Sequence, residues 1–388
     1  MRFRTNYLLL GAAMAALLVP VVGGHAATPA PAWPTKWPSS VAENTRLQDE
    51  LVKTDYTAEE KRNILTILNE ESDEARAAWL KNPKRAPHEG FPGLDKYYGA
   101  KGYDEATSIP DRKDRILDIL AKDNRVFGVY TISGHHQGMM WGWKGDGKPV
   151  EILAFFYRTF DPQGRTIENY FHTEELQLYV ALGGKTAFPK DGLAAQVAEA
   201  PKPGTPVTER ARPAPPPPLP TTWPPTKWPS GTLSPKLIKW LSEAHWTEEE
   251  KPVLWRALAA NEFVAPDYNS PQDFTVTPFC GISCPKGRRG FDYIDYLAGS
   301  HAYNGARSVR DRFVETDDII VKGKRVIKVF HGYGHQTGYL YGFPGDGHFV
   351  EWKEIGSGNS GAGLRAEELQ FYVSMGGKLQ FPGKPPVP

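Results

Sequence analysis

What this chain has little of narrows its chemistry first. It holds two cysteines, Cys280 and Cys284, in 388 residues. Both lie in a Pro/Gly-rich stretch with no further Cys or His beside them, so a zinc site lacks ligands there. In an oxidising compartment such a pair closes a small loop, and a local disulfide is the expectation. An excess of charge of one sign is also missing, because 46 Lys and Arg stand against 45 Asp and Glu. A balanced chain exerts no global pull on nucleic acid or anionic membrane, and neither is expected as a partner. Phosphate-binding loops, nucleophilic triads and metal-ligand spacings are absent too. His331 and His335 share a strand face but lack a third ligand by spacing.

One apolar run stands out. Arg2 and Arg4 precede Tyr7 to Val22, and Gly23, Gly24, Ala26 and Ala27 follow. That is the three-part pattern of a secretory signal peptide over 1–27, cut after Ala26 or Ala27. The run is short for a membrane anchor, so no stable membrane insertion is expected after cleavage. No Cys follows it, which argues against a lipid-anchored protein. A periplasmic or secreted location is the expectation.

What the chain does contain is itself, twice. Gly90 to Glu151 aligns with Gly290 to Glu351 without a gap, at a constant offset. Asp95, Gly99, Tyr103, Ala106 and Ser108 recur at 295, 299, 303, 306 and 308, and Asp111-Arg112 recurs as Asp311-Arg312. The densest match sets Gly134-His-His-Gln-Gly138 against Gly334-His-Gln-Thr-Gly338. A unit this long buries its own core, which makes it a duplicated domain rather than a solenoid repeat. The expected layout is a flexible Pro-rich arm at 28–44, a first domain at 45–189, a semi-rigid, extended Pro-rich linker at 190–233 and a second domain at 234–382. Pro-Thr-Lys-Trp-Pro-Ser precedes each copy, at 34–39 and 225–230. Each copy then opens on a helix, signalled by the capping boxes Thr57-x-x-Glu60 and Thr247-x-x-Glu250. β-rich segments follow, then a short helix ended at Gly183-Gly184. Helices first and an antiparallel sheet after them read as α+β.

That order, with these residues, resembles the SnoaL-like branch of the nuclear-transport-factor-2-like superfamily. Its run of Gly-Thr-His-Thr-Gly, Gly, a Pro/Gly turn and Val-Glu-Trp is matched by Gly334 to Gly338, Gly342-Phe-Pro-Gly and Val350-Glu351-Trp352. Copy one offers Gly134 to Gly138, Gly142, Val150-Glu151, Glu168-Asn-Tyr170 and Glu174 to Gly183. The resemblance implies two tandem cones, each with N-terminal helices packed on a curved antiparallel sheet around an apolar cavity. It implies a hydrophobic small-molecule ligand. It further implies a cofactor-independent cyclase, isomerase or hydrolase working through a carboxylate where the last strand meets the terminal helix. Some relatives bind ligands without catalysis, and relatives commonly pair through their sheets, so an intrachain pseudo-dimer or a homo-oligomer is the other expectation.

Glu174 stands at the family's catalytic Asp position, with Glu367 as its copy-two equivalent. A helix-start Glu is also stabilised by the helix dipole alone. His136 matches the family's His, and His135 and His335 are the pair both copies share. On a strand only one of His135 and His136 can face a cavity, and a structural His near a turn is the other reading. Trp141, Tyr170 and Glu151 are candidates for the cavity wall, with Glu351 the counterpart of Glu151. Core packing for the aromatics and an outward-facing strand position for the two acids remain open. Asp111-Arg112 reads as a structural corner. In copy two, Gly356 to Gly363 replaces the hairpin of copy one, so loop rather than strand is expected there, and a degenerate cavity with it.

Overall fold

The two capping boxes form as the sequence predicts, and the chain is built outward from them. In the first, Thr57 Oγ1 accepts from the Glu60 amide and Glu60 accepts from the Thr57 amide, opening a helix at Ala58–Glu70. Thr247 and Glu250 repeat this at Glu250–Ala259. The computed structural model describes residues 31–82, 91–198, 217–229, 233–259, 291–299, 308–358 and 363–386. Residues 1–27, where a signal peptide is expected, and Cys280 and Cys284 fall outside them.

The first half runs α1 (Thr45–Lys53), α2 (Ala58–Glu70), α3 (Asp73–Lys81), α4 (Pro92–Tyr98) and α5 (Glu105–Ser108). Four strands follow: β1 (Lys113–Lys122), β2 (Arg125–His135), β3 (Pro149–Phe160) and β4 (Thr166–Thr173). They pair antiparallel in the order β1-β2-β3-β4, and α6 (Glu175–Ala181) closes the half. After α7 (Lys190–Ala198) the second half repeats the plan. It has α8 (Pro235–Glu243), α9 (Glu250–Ala259), α10 (Asp292–Ala298), β5 (Phe313–Lys322), β6 (Arg325–His335), β7 (Phe349–Gly358), β8 (Gly363–Ala366) and α11 (Glu368–Ser374). Its sheet order is β5-β6-β7-β8. The fold class is α+β.

Strand alternation gives each sheet two apolar faces. The inner face of sheet one, with Ile116, Tyr130, Ile132, Ile152 and Phe156, packs on Leu47, Leu51, Ile64, Ile67 and Leu68 of α1 and α2. Ile319 and Val321 of sheet two pack likewise on α8 and α9. The outer faces meet each other: Leu120, Phe127, Val129, Leu153 and Phe155 form one buried cluster with Ile320, Ile327, Val329 and Ile355. β1 and β5 lie side by side at this seam.

Ion pairs cross the seam in matched swaps. Lys122 reaches Glu250 and Lys322 reaches Glu60, each at 2.6 Å, with all four side chains buried. Arg125 bonds Asp318 at 2.9 Å, and Arg325 pairs with Asp118. The chain after each terminal helix also crosses over. Tyr179 Oη takes the Gln380 amide at 2.8 Å, and Tyr372 Oη takes the Ala187 amide at 2.9 Å.

Three expectations need correction. The arm at 28–44 is seated rather than loose over its later part. Val41 is buried and the Ser40 carbonyl accepts from Ile116 of β1, because an apolar side chain and an open strand edge are both available. Trp37 and Trp228 of the duplicated lead-ins both pack on hydrophobic clusters. The linker expected from 190 begins as a helix, α7, whose Gln196 accepts from the Gly342 amide and donates to the Tyr339 carbonyl. Lastly, the Gly/Ser run of 356–363 does not abolish the fourth strand. β7 continues to Gly358, β8 starts at Gly363, and they pair from Glu354↔Ala366 to Ser357↔Gly363. Backbone ladder bonds need no side chain, so a glycine-rich stretch retains a short hairpin.

Candidate functional site

The carboxylate expected at the start of the terminal helix is there, in duplicate, and buried. Glu174 caps α6 and Glu175 follows; Glu367 caps α11 and Glu368 follows. Their exposures run from 1% to 8%. Glu175 reaches back to the start of α4, accepting from the Gly93 amide at 3.0 Å, from the Leu94 amide, and from Thr173 Oγ1 at 3.1 Å. Glu368 accepts from the Tyr293 amide of α10 at 3.0 Å. These two acids tie one helix start to another.

α6 and α11 touch, so the four acids meet across the seam. Burial pushes Glu175 up to about 7 against the pull of the Gly93 and Leu94 amides. Glu367 is pushed up to about 8 by burial first and then by the charge of Glu175. Glu368 is driven well above the usual carboxylate range by burial and by Glu174. Glu174 and Glu367 therefore lie at a junction of the two halves.

The remaining sequence candidates scatter. His135 and His335 are exposed at the ends of β2 and β6, which excludes them from an enclosed cavity. Each bonds an Asp of the predicted corner, His135 Nδ1 to Asp111 at 2.5 Å and His335 Nδ1 to Asp311 at 2.6 Å. His136 is buried past the end of β2, with Nδ1 3.6 Å from Asp146 in the adjoining turn. Gln336 spans the equivalent turn, donating to the Phe343 carbonyl at 2.8 Å and to the Pro344 carbonyl at 3.1 Å.

Trp141 is fully buried beside Phe91 and Tyr103, and its indole N–H donates to Asp95 at 2.9 Å. Tyr341 repeats that bond to Asp295 at 2.6 Å. Tyr170 is on the seam rather than in the interior. It stacks on Tyr157 at 5.1 Å and accepts from Lys353 of the other half at 2.8 Å. Glu151 is exposed, opposite Ser133. Glu351 is half-buried, 3.5 Å from His331, and His331 holds its carboxyl below the usual range.

A different cluster occupies the inner face of the first half. Arg112 spans Glu105 at 2.9 Å and Asp114 at 2.8 Å, and Arg76 joins Glu105. Arg158 on β3 bonds Glu71 at 2.7 Å and also pairs with Glu70. Glu71, Glu105, Arg112, Asp114, Tyr103 and Tyr130 are each at most 7% exposed. Burial pushes Glu71 up, partly offset by Arg158. It drives Tyr130 well above the phenol range, with Glu71 adding to the effect. Arg112, on which burial works downward, is held charged by Asp114 and Glu105.

Within this nest the Tyr103 hydroxyl is buried and has no hydrogen-bond partner. An orphaned buried hydroxyl costs about 1–3 kcal/mol. Such an atom in a native protein calls for an explanation, and a ligand is one. Among sequence signals, only the recurrence of Tyr103 and the Asp111-Arg112 pair pointed here. Glu71, Glu105, Asp114 and Arg158 are far apart in sequence and carry no local signature.

The second half does not repeat the nest. At matching inner positions Tyr130 becomes Phe330, Ile152 becomes Trp352 and Ala154 becomes Glu354. Gly128 opposite Phe156 becomes Lys328 opposite Gly356. Trp352 lies over Gly332 and packs against Phe291 and Phe371. Among the described residues no three His, Cys, Asp or Glu are grouped to hold a metal. No described helix is long and apolar enough to cross a membrane.

No known family's sequence profile matches the chain, and no curated protein does. Among solved structures the chain is similar to AclR of Streptomyces galilaeus, provisionally described as a hydroxylase. That match has 26% identity and a TM-score of 0.20, over 20% of this chain and 58% of that one. It is also similar to a protein of Jannaschia sp. CCS1 provisionally described as a SnoaL-like polyketide cyclase. A protein of Acidithiobacillus ferrooxidans provisionally described as a polyketide cyclase gives the same figures. Each is 17% identical with a TM-score of 0.25, over 33% of this chain and 96% of that one. The chain thus spans a little over half of the first of these proteins and nearly all of the other two.

Proposed function

We propose that this protein is a secreted or periplasmic binder of an apolar small molecule with a polar, carbonyl-like head. Its two SnoaL-like units work as an intrachain pseudo-dimer. The orphaned Tyr103 hydroxyl carries the reading. It is a hydrogen-bond donor held in a water-poor site beside fixed charges, where a single bond to a ligand oxygen counts for more than in water. Phe91, Tyr103 and Trp141 supply the apolar wall.

Acid/base chemistry in this nest would fall to Glu71 rather than Glu174. Its raised carboxyl lies nearer working pH, and Arg158 and Tyr130 are beside it. Arg158 also anchors Glu71 in place, which favours binding over turnover. The seam supports the pseudo-dimer: its swapped ion pairs and exchanged tails give the self-complementary pattern of a two-fold interface.

Native mass spectrometry of the mature protein, purified from its own host's periplasm, tests this. Wild type should retain an apolar small molecule, and Tyr103→Phe should hold it about tenfold more weakly, the worth of one hydrogen bond. Glu174→Gln should retain it unchanged. A product on wild type with an unconverted precursor on Glu71→Gln would establish catalysis. Folded, monomeric protein that is empty throughout would overturn the binding assignment and leave the pseudo-dimer alone.

A further inference from the structure

The seam covers only part of the outer face of sheet two. Along β6, Ile327 and Val329 belong to the buried seam cluster. His331, Tyr333 and His335 alternate onward on that same face, the first two half-buried and the last exposed. Register sets Phe313 of β5 opposite Tyr333, and Phe349 of β7 opposite His335. These rings form one unbroken patch. The Tyr333 centroid is 5.3 Å from Phe313, 5.9 Å from Phe349 and 5.1 Å from His331, and Phe349 is 5.8 Å from His335. Phe313 and Phe349 are 42% and 49% exposed. Tyr333 tilts by 41° from one and 35° from the other, so the three rings make a shallow platform.

The rim of the platform is polar and held in place. Asp311 accepts from the His335 amide at 2.8 Å and bonds its Nδ1 at 2.6 Å, which turns the far ring nitrogen, Nε2, away from the acid. At the other end Glu351 stands 3.5 Å from His331 Nε2 and takes Gln370 of α11 on its second oxygen. The first half has none of the three carbocyclic rings. At the matching register positions it carries Lys113, Ser133 and Pro149, with Thr131 in place of His331. Only the bond of His135 to Asp111 recurs there. Rings left open to water contribute little to folding, and a contiguous exposed apolar patch marks a binding surface.

Size and rim chemistry select the occupant. Three rings exposed to this extent offer about 250 Å² of apolar surface. A stable protein interface takes about 800 Å² from each partner, so a second protein is poorly served here. One or two sugar rings fit that area. A pyranose ring has a face of C–H groups, whose partial positive charge suits the negative face of an aromatic ring, and an edge of hydroxyls. Fixed imidazoles and a carboxylate at the rim favour such a hydroxylated ring over a wholly apolar compound. We propose that this patch of the second half is a saccharide-binding platform. An oligosaccharide lays its C–H faces on Phe313, Tyr333 and Phe349, and its hydroxyls bond His335 Nε2 at one end and the Glu351–His331 pair at the other. The assignment uses the outer face and does not depend on what either interior binds.

Calorimetric titration of the full-length mature protein with cellohexaose, maltohexaose and chitohexaose tests it. These probes differ in linkage and in substituents but share the stacking face. At least one should bind with a dissociation constant of about 1 mM or tighter. Phe349→Ala and Phe313→Ala should each weaken that binding about tenfold, the worth of one stacked ring. Both side chains are exposed, so the variants should unfold at the wild-type temperature, which thermal unfolding checks. Lys113→Ala, at the matching place in the first half, should bind as wild type does. Saturation transfer from the protein should be strongest to the C–H protons of the stacked sugar face. No binding of any of the three sugars would overturn the proposal, as would Phe349→Ala binding as tightly as wild type. A dimer in sedimentation that Phe349→Ala dissolves would overturn it too, by placing a second copy on the patch.

Discussion

Glu60 does three jobs with one carboxylate. It closes the capping box of α2 and receives Lys322 from the opposite sheet, and its second oxygen takes the Asp123 amide. Glu250 repeats all three roles with Thr247, Lys122 and Gly323. Burial works upward on the Glu250 carboxyl, but Lys122 and those amides outweigh it and hold it below the usual range. The first job was legible, because Thr-x-x-Glu is a local signature. The second was not, because Lys322 is 262 positions from Glu60 and nothing near either residue announces the other. Glu60→Ala removes a cap and strands a buried ammonium. Breaking a buried pair from one side costs about 3–5 kcal/mol. Urea unfolding should show a loss of that size, and exposed Lys53→Ala should show almost none.

At the scale of elements, the two sheets share a register and differ in how their inner faces are filled. Tyr130 with Ile152 and Phe156 on one side answers to Phe330 with Trp352 and Gly356 on the other. The pattern follows a size swap. Where a large ring stands on one strand, glycine stands across from it, Gly128 facing Phe156 and Gly332 facing Trp352. A methyl group added at Gly332 would come within 2.3 Å of the Trp352 ring. Gly332→Ala should therefore destabilise the protein by about 1–3 kcal/mol through overpacking, measured by thermal or urea unfolding. Gly347→Ala meets nothing within 4 Å, so any cost there comes from its backbone angle of +82° alone. The succession of helices before an antiparallel sheet and the terminal helix before Gly183-Gly184 were readable from capping, alternation and turn signals. The surviving hairpin of β7 and β8 was not, because composition reports side chains and the ladder is made by backbone.

For the molecule as a whole, the seam sets the response to pH. Glu175 and Glu367 ionise near 7 and 8, above an ordinary Glu. A carboxyl raised in the folded state lends full stability below its unfolded pKa and loses it as pH rises through the folded value. The seam should weaken between about pH 4.5 and 8. His172, buried against Phe155 and pulled down to about 3, has the opposite sign. It must stay neutral when folded, so its contribution is lost as pH falls from about 6.5 toward 3. Urea midpoints for wild type should fall from pH 6.5 to pH 8.5, and Glu367→Gln should flatten that fall. A mutant as steep as wild type would show that Glu367 ionises like a surface acid.

The swapped contacts have one more consequence. The buried ion pairs that cross the seam come as twins, Lys122 with Lys322, Asp118 with Asp318, Arg125 with Arg325, while the two interiors have drifted into unlike chemistry. A change on the seam falls out of step with its twin, whereas a change in either interior disturbs no partner. Duplication has in this way separated what must stay alike from what is free to differ. Whatever the two interiors come to hold, one chain carries them in a one-to-one ratio that no change in protein concentration can alter.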